Sequence, residues 1–200
     1  MSKTKLINQL FLPFELKSNV VVKNRLAVAT MTTQQSNSDG TISVKESAWL
    51  ERLASDGYGL VISCAATISR EAIGFYNQLS VGEDPMIADL SLLAQRMKSH
   101  NTINLIQLCH AGSRAIHSLT GVKPKSASSY SVPMIADFET PEMLTVTEIK
   151  EIVTDFADAC ERVEMAGFDG VELHGANGFL ITQFISSYLV YWNCFRSIKR

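Results

Sequence analysis

The sequence predicts an α/β fold of four βα units around a parallel sheet that curves as a barrel rather than lying open. Three observations predict it. Apolar strand-like runs alternate with amphipathic helical runs, the pattern that βα units leave in a sequence. In the last strand-like run Gly170, Glu172 and His174 share one face while Val171 and Leu173 share the other, which suits a polar barrel interior better than a sheet buried between helix layers. No GxGxxG turn follows the first run, so the doubly wound alternative lacks its dinucleotide-binding turn.

The elements follow in order. Residues 25–32 (RLAVATMT) form the first strand, apolar on both faces. After a polar loop with Asp39-Gly40 as its turn, Ser43 and Glu46 stand at capping-box spacing and open a helix. Trp49, Leu50 and Leu53 give that helix its apolar stripe and Gly57 stops it. The second strand is 59–68. Ile87, Leu90, Leu93, Ala94 and Met97 recur at helical spacing, and the third strand is 103–108. Residues 113–144, broken by Pro124, Pro133 and Pro141, have no clear period and read as a long functional loop. Thr145 and Glu148 make a second capping box, opening a helix whose Ile149, Ile152, Val153, Phe156, Cys160 and Val163 line one face. Gly167 ends it, and 168–174 is the fourth strand.

A content of 46% hydrophobic residues supports one folded core, and a net charge of −2 with interspersed signs excludes the basic footprint of nucleic-acid binding or a polybasic membrane patch. No stretch of about 18 uncharged apolar residues occurs, so no membrane span is expected. Cys64, Cys109, Cys160 and Cys194 form no CxxC pair, which fits reduced thiols in a cytoplasmic protein.

In a barrel the C-terminal ends of the strands converge on one mouth. Here that mouth gathers Met31 and Thr32, Ala65 to Thr67, Gln107 with His110, and His174 with Asn177. These groups can hydrogen bond a flat polar heterocycle and a carbonyl oxygen. His110, His174 and Glu172 also make a two-histidine, one-carboxylate set, but no clustered spacing supports a metal, and none is assigned. Cys109 and His110 are adjacent on a strand and point to opposite faces, so they do not form a nucleophilic dyad.

The segments Asn24 to Thr32, Gly57 to Ala66, Gln107 to Gly112 and Gly167 to Leu180 resemble, in the right order, the N-terminal half of the old yellow enzymes. These are FMN-dependent NADH:flavin oxidoreductases, or ene-reductases, with (β/α)8 barrels. The resemblance spans roughly residues 6–187. It implies an N-terminal half of a (β/α)8 barrel, truncated after the fourth strand, over residues 1–187, with 188–200 as an atypical tail. It implies FMN as cofactor and NAD(P)H as reductant. Met31 and Thr32 would lie against the isoalloxazine, Ala65 would give it a backbone contact, and Gln107 would meet its pyrimidine edge. His174 and Asn177 would hold the carbonyl oxygen of an activated alkene as hydride moves to the β-carbon.

The sequence departs from the family pattern in three places. Thr30 stands where proline is usual before the methionine, relaxing a fixed φ. Phe179 stands where many members have the tyrosine that protonates the substrate, and phenylalanine has no proton to give. After Ser187 the expected loop and the second barrel half do not follow, so no arginine can be assigned to the FMN phosphate, and a truncated, non-catalytic remnant is the alternative reading. The unpaired first and fourth strands of such a half barrel favour self-association.

Overall fold

The computed structural model describes residues 3–17, 19–130 and 139–187. The tail set apart at 188–200, with Cys194, and Pro133 of the long loop lie outside the described residues. Helix α1 (Lys3–Leu10) and the antiparallel pair β1 (Phe14–Glu15) and β2 (Val21–Val22) come first. No sequence period announces them. Strands β1, β2 and β3 (Ala27–Val28) border a cavity of about 460 Å³ lined by Phe14, Val22, Leu60 and Leu105, at the N-terminal end of the barrel strands.

The sheet itself is four-stranded and parallel. Its order is β3, β4 (Leu60–Thr67), β5 (Ile103–Cys109) and β8 (Gly170–Leu173), each strand beside its predecessor in the series. Helices α2 (Val44–Ser55), α3 (Ile87–Lys98) and α5 (Val146–Met165) alternate with these strands. Four consecutive parallel strands with intervening helices make half of a (β/α)8 barrel. A short helix α4 (His117–Thr120), the parallel pair β6 (Lys125–Ser126) and β7 (Glu142–Met143), and helix α6 (Leu180–Ile185) complete the chain.

The first and fourth strands are shorter than the apolar runs suggest. Only Ala27 and Val28 pair with β4, opposite Leu60 and Val61, because the chain then turns so that Thr33 and Ser36 reach helix α2. Met31 and Thr32 therefore sit on an irregular segment beyond the strand, both exposed. On the other side β8 ends at Leu173, which leaves His174 as the first residue of the following loop.

Leu50, Leu90, Leu93, Met97, Ile106, Leu108 and Val163 are buried between the sheet and the helices. Truncating a leucine in such a core costs about 2–5 kcal/mol. The α5 stripe divides: Val163 is fully buried, whereas Val153 is 63% exposed. Ile149, Ile152, Val153 and Phe156 line an open cleft of about 350 Å³ with Leu173 and Ile181. That cleft flanks β8, which among the described residues pairs on one side only.

The two helix starts differ. At α5 the box closes both ways: Thr145 Oγ1 accepts from the Glu148 N–H, and Glu148 accepts from the Thr145 N–H at 2.7 Å. At α2 only half forms, with Ser43 Oγ accepting from the Glu46 N–H at 3.1 Å. The Glu46 carboxylate turns inward instead.

Glu148 also receives Lys125 Nζ at 2.6 Å, and this bond, with those from Thr145, holds its carboxyl down at about 2. A depressed carboxylate adds stability above its ordinary value near 4.5, and that stability is lost as pH falls toward 2. Glu148→Ala is expected to lower stability by about 1 kcal/mol at pH 7, with the gap to wild type closing below pH 4.5; urea melts between pH 7 and pH 3 measure it.

Candidate active site at the strand ends

Strand register places Ala65 opposite Gln107, and Gln107 opposite Glu172. Across this row Gln107 Nε2 donates to Glu172 Oε1 at 2.5 Å. Thr30 Oγ1 donates to the same oxygen at 3.3 Å, spanning the concave face from the far edge of the sheet. Glu172 is thus the junction of the barrel interior, a part the alternating pattern of the fourth strand hinted at without defining. Gln107 is only 7% exposed, and its Oε1 is buried with no hydrogen-bond partner. One Nε2 proton is taken by Glu172, and the buried oxygen has no partner in the protein, so it is available to accept from a ligand. Ala65 is buried, and its carbonyl accepts from Gln78 Nε2 at 3.0 Å, which leaves one lone pair for another donor.

His174 is 8% exposed, with its ring 4.6 Å from that of Phe179. Burial lowers its pKa, the Arg114 charge adds to that, and Glu172 opposes it. A neutral imidazole at pH 7 follows, with one N–H to donate. Its ring nitrogens receive no protein hydrogen bond among the described residues. Three residues on, Asn177 is exposed and adopts φ +55°, in the left-handed region that asparagine tolerates better than most side chains. Arg114 donates to the Asn177 carbonyl, and its guanidinium lies 4.9 Å from the centre of the Phe179 ring.

The turn is tied down from behind by Gln183, which is fully buried. Its Oε1 accepts from Ser126 Oγ at 2.8 Å and the Ser113 N–H at 3.1 Å, and its Nε2 donates to Gly178 O at 2.7 Å and Ala111 O at 3.2 Å. This uses all four hydrogen-bonding positions of the amide. Gly112 makes room for it: a Cβ there would stand 2.2 Å from Gln183 Oε1, on a backbone at φ +61°. The structure therefore adds Glu172, Arg114 and Gln183 to the residues expected from sequence. Arg114 carries no sequence signal, since the segment around it has no period.

The other histidines stand apart from this mouth chemistry. His110 is buried, its pKa lowered to about 4 by desolvation, and its Nδ1 accepts from the Gly112 N–H at 3.0 Å. Burial pushes the neighbouring Cys109 thiol up to about 12, so the pair supplies no thiolate. His117 meets Glu139 at the surface, and His100 lies near Glu51. Among the described residues no three His, Cys, Asp or Glu side chains are grouped to hold a metal ion.

A half barrel whose strand ends offer a buried amide acceptor and a histidine–asparagine turn belongs to the (β/α)8-barrel class, in which sites gather at the C-terminal face of the strands. Comparison with known proteins then specifies the class. Residues 9–190 match the NADH:flavin oxidoreductase / NADH oxidase family. The "Probable NADH-dependent flavin oxidoreductase YqiG" of Bacillus subtilis is 37% identical over 177 residues, covering 88% of this chain and 47% of that protein. The NADPH dehydrogenase of Bacillus pumilus is 32% identical over 179 residues, covering 89% and 51%. Among solved structures, the old yellow enzyme homologue from Zymomonas mobilis superposes with a TM-score of 0.84 at 26% identity, over 92% of this chain and 53% of the other. Morphinone reductase gives 0.85 at 25% identity, over 92% and 52%. The chain belongs to the NADH:flavin oxidoreductase family, that of the old yellow enzymes, which uses FMN and NAD(P)H, and it spans about half the length of these relatives.

Proposed function

We propose that this chain carries the flavin-facing and acceptor-anchoring half of an FMN-dependent oxidoreductase that passes hydride from NAD(P)H to an α,β-unsaturated carbonyl or a similar acceptor. The observation that carries the reading is the buried Gln107 Oε1 with no protein partner. A buried amide oxygen left unpaired costs about 1–3 kcal/mol, and the ring N–H of a flavin pyrimidine is a donor of the kind it takes. Bound there, FMN supplies the two-electron hydride chemistry.

The residues of the chain do the rest. Met31 and Thr32 present exposed apolar and hydroxyl surface to the ring system, and Ala65 adds backbone. His174 and Asn177 donate to the acceptor's carbonyl oxygen and so stabilise the negative charge that grows there. Phe179 has no proton to give, so the proton for the α-carbon comes from solvent. The acceptor is a small molecule. No helix among the described residues is long and apolar enough to cross a membrane; the cytoplasm is proposed as the place of work because the cysteines are spaced as reduced thiols rather than as a disulfide framework.

The decisive experiment is titration of the purified chain with FMN. Saturable quenching of flavin fluorescence is expected, followed by bleaching with NADH or NADPH and return of colour on adding 2-cyclohexenone. A chain that takes up no FMN refutes the reading. The alternative, a non-catalytic half barrel that needs a partner chain or self-associates, draws on the open apolar cleft beside β8; it gains if the product is colourless and elutes as dimers or larger species.

A further inference from the structure

Glu46 has no exposed surface, and among the described residues no lysine or arginine pairs with it. Burying a carboxylate is costly unless hydrogen bonds replace its water. Three donors do so: Thr33 Oγ1 at 2.7 Å, Ser36 Oγ, and Cys64 Sγ at 2.8 Å. Burial and the adjacent carboxylate both push the Cys64 thiol up, so it remains a protonated donor. To reach these partners Glu46 gives up the second half of the capping box at α2, a bond that Glu148 keeps at α5.

The position of the partners gives the arrangement its meaning. Thr33 directly follows Met31 and Thr32, and Ser36 lies three residues further on, so two of the bonds fasten the irregular segment that succeeds β3. Cys64 directly precedes Ala65, and the β4–β5 register shifts between Ile62 and Ala65. A bulge of this kind re-aims the next side chain and backbone amide. The shift is what sets Ala65 opposite Gln107. One buried carboxylate on α2 therefore bonds to the neighbours of two separate segments on the cofactor side of the mouth, and to none of those around His174.

We propose that Glu46 is a positioning residue for the cofactor face, holding the 30–36 segment and the β4 bulge in register so that Met31, Thr32 and Ala65 meet the flavin together. This rests on the FMN reading for its purpose, but its structural claim can be read without FMN. Oε1 accepts from Thr33 and Cys64 and Oε2 from Ser36, so Glu46→Gln, which exchanges one acceptor oxygen for a donor, leaves at least one of the three without its acceptor. Hydrogen–deuterium exchange of the FMN-free chain is expected to rise about tenfold in 30–36 and 63–66, with 146–165 unchanged. FMN is expected to bind about tenfold more weakly. Ser36→Ala, which removes one donor from a loop, shifts both readouts in the same direction by less, and decides the matter alone should Glu46→Gln fail to fold. Unchanged exchange in the two segments, a rise spread evenly over the chain, or a variant that melts earlier yet binds FMN with wild-type affinity overturns the assignment. If the wild-type chain takes up no FMN, the function reading falls and the exchange pattern still decides what Glu46 holds.

Discussion

Replacing His174 with alanine is expected to lower kcat/KM for a carbonyl acceptor by about a hundredfold or more, with FMN affinity unchanged. One donor aimed at a developing oxyanion is worth on the order of 10²–10³ in rate in a water-poor site. His174 sits in such a place: 8% exposed, backed by Phe179, and held neutral at pH 7 by burial. The residues proposed to meet the flavin, Ala65 and Gln107, are on other strands, and Gln107 keeps its bond to Glu172. Steady-state kinetics with 2-cyclohexenone, paired with an FMN titration of the same variant, separates the two effects. Equal losses in acceptor turnover and FMN affinity would mean that His174 supports the mouth as a whole rather than the acceptor.

Gln183→Leu is expected to cost about 3 kcal/mol or more in stability, the largest structural penalty of any single polar change near the site. Leucine keeps much of the volume and none of the four hydrogen bonds. Ser126 Oγ, the Ser113 N–H and the carbonyls of Ala111 and Gly178 then lose their partner together, at about 1–3 kcal/mol for each group that water cannot reach. The loss falls on one place. Gly178 follows Asn177, so the acceptor turn loosens with the fold, and KM for the acceptor rises in whatever fraction stays folded. Chemical denaturation of wild type and variant gives the first number, and kinetics below the midpoint gives the second. A variant within 0.5 kcal/mol of wild type would show that water replaces the amide.

The parts of this architecture that were legible in the sequence are those where a period or a cap repeats a local rule. Leu90, Leu93, Ala94 and Met97 announce α3, and Thr145 with Glu148 announces α5, because the physics involved spans a single turn. Strand β3 is shorter than its sequence suggests for a non-local reason: residues 25–32 look uniformly strand-like, yet parallel pairing with β4 lasts two residues before Glu46 draws Thr33 and Ser36 toward α2. The same carboxylate explains the failed capping box, since a glutamate three residues after a serine does not reveal whether it will turn back to the backbone or inward to the core. His174 and Asn177 were legible as a motif, and Gln183 only as a letter beside it. Its four bonds connect segments more than fifty residues apart as well as the adjacent turn, and nothing at the level of spacing foretells them.

The strand order β3, β4, β5, β8 has a consequence for how such a molecule comes to be made. Every neighbouring pair in this sheet is also a successive pair along the barrel series, so each new strand meets a partner that has already been synthesised. As the chain leaves the ribosome, β4 finds β3 already outside, β5 finds β4, and β8 finds β5. Assembly can proceed by accretion in the direction of translation, across connections of roughly 30 to 35 residues for the first two steps and about 60 for the last, with each intermediate exposing one fresh edge at its growing side.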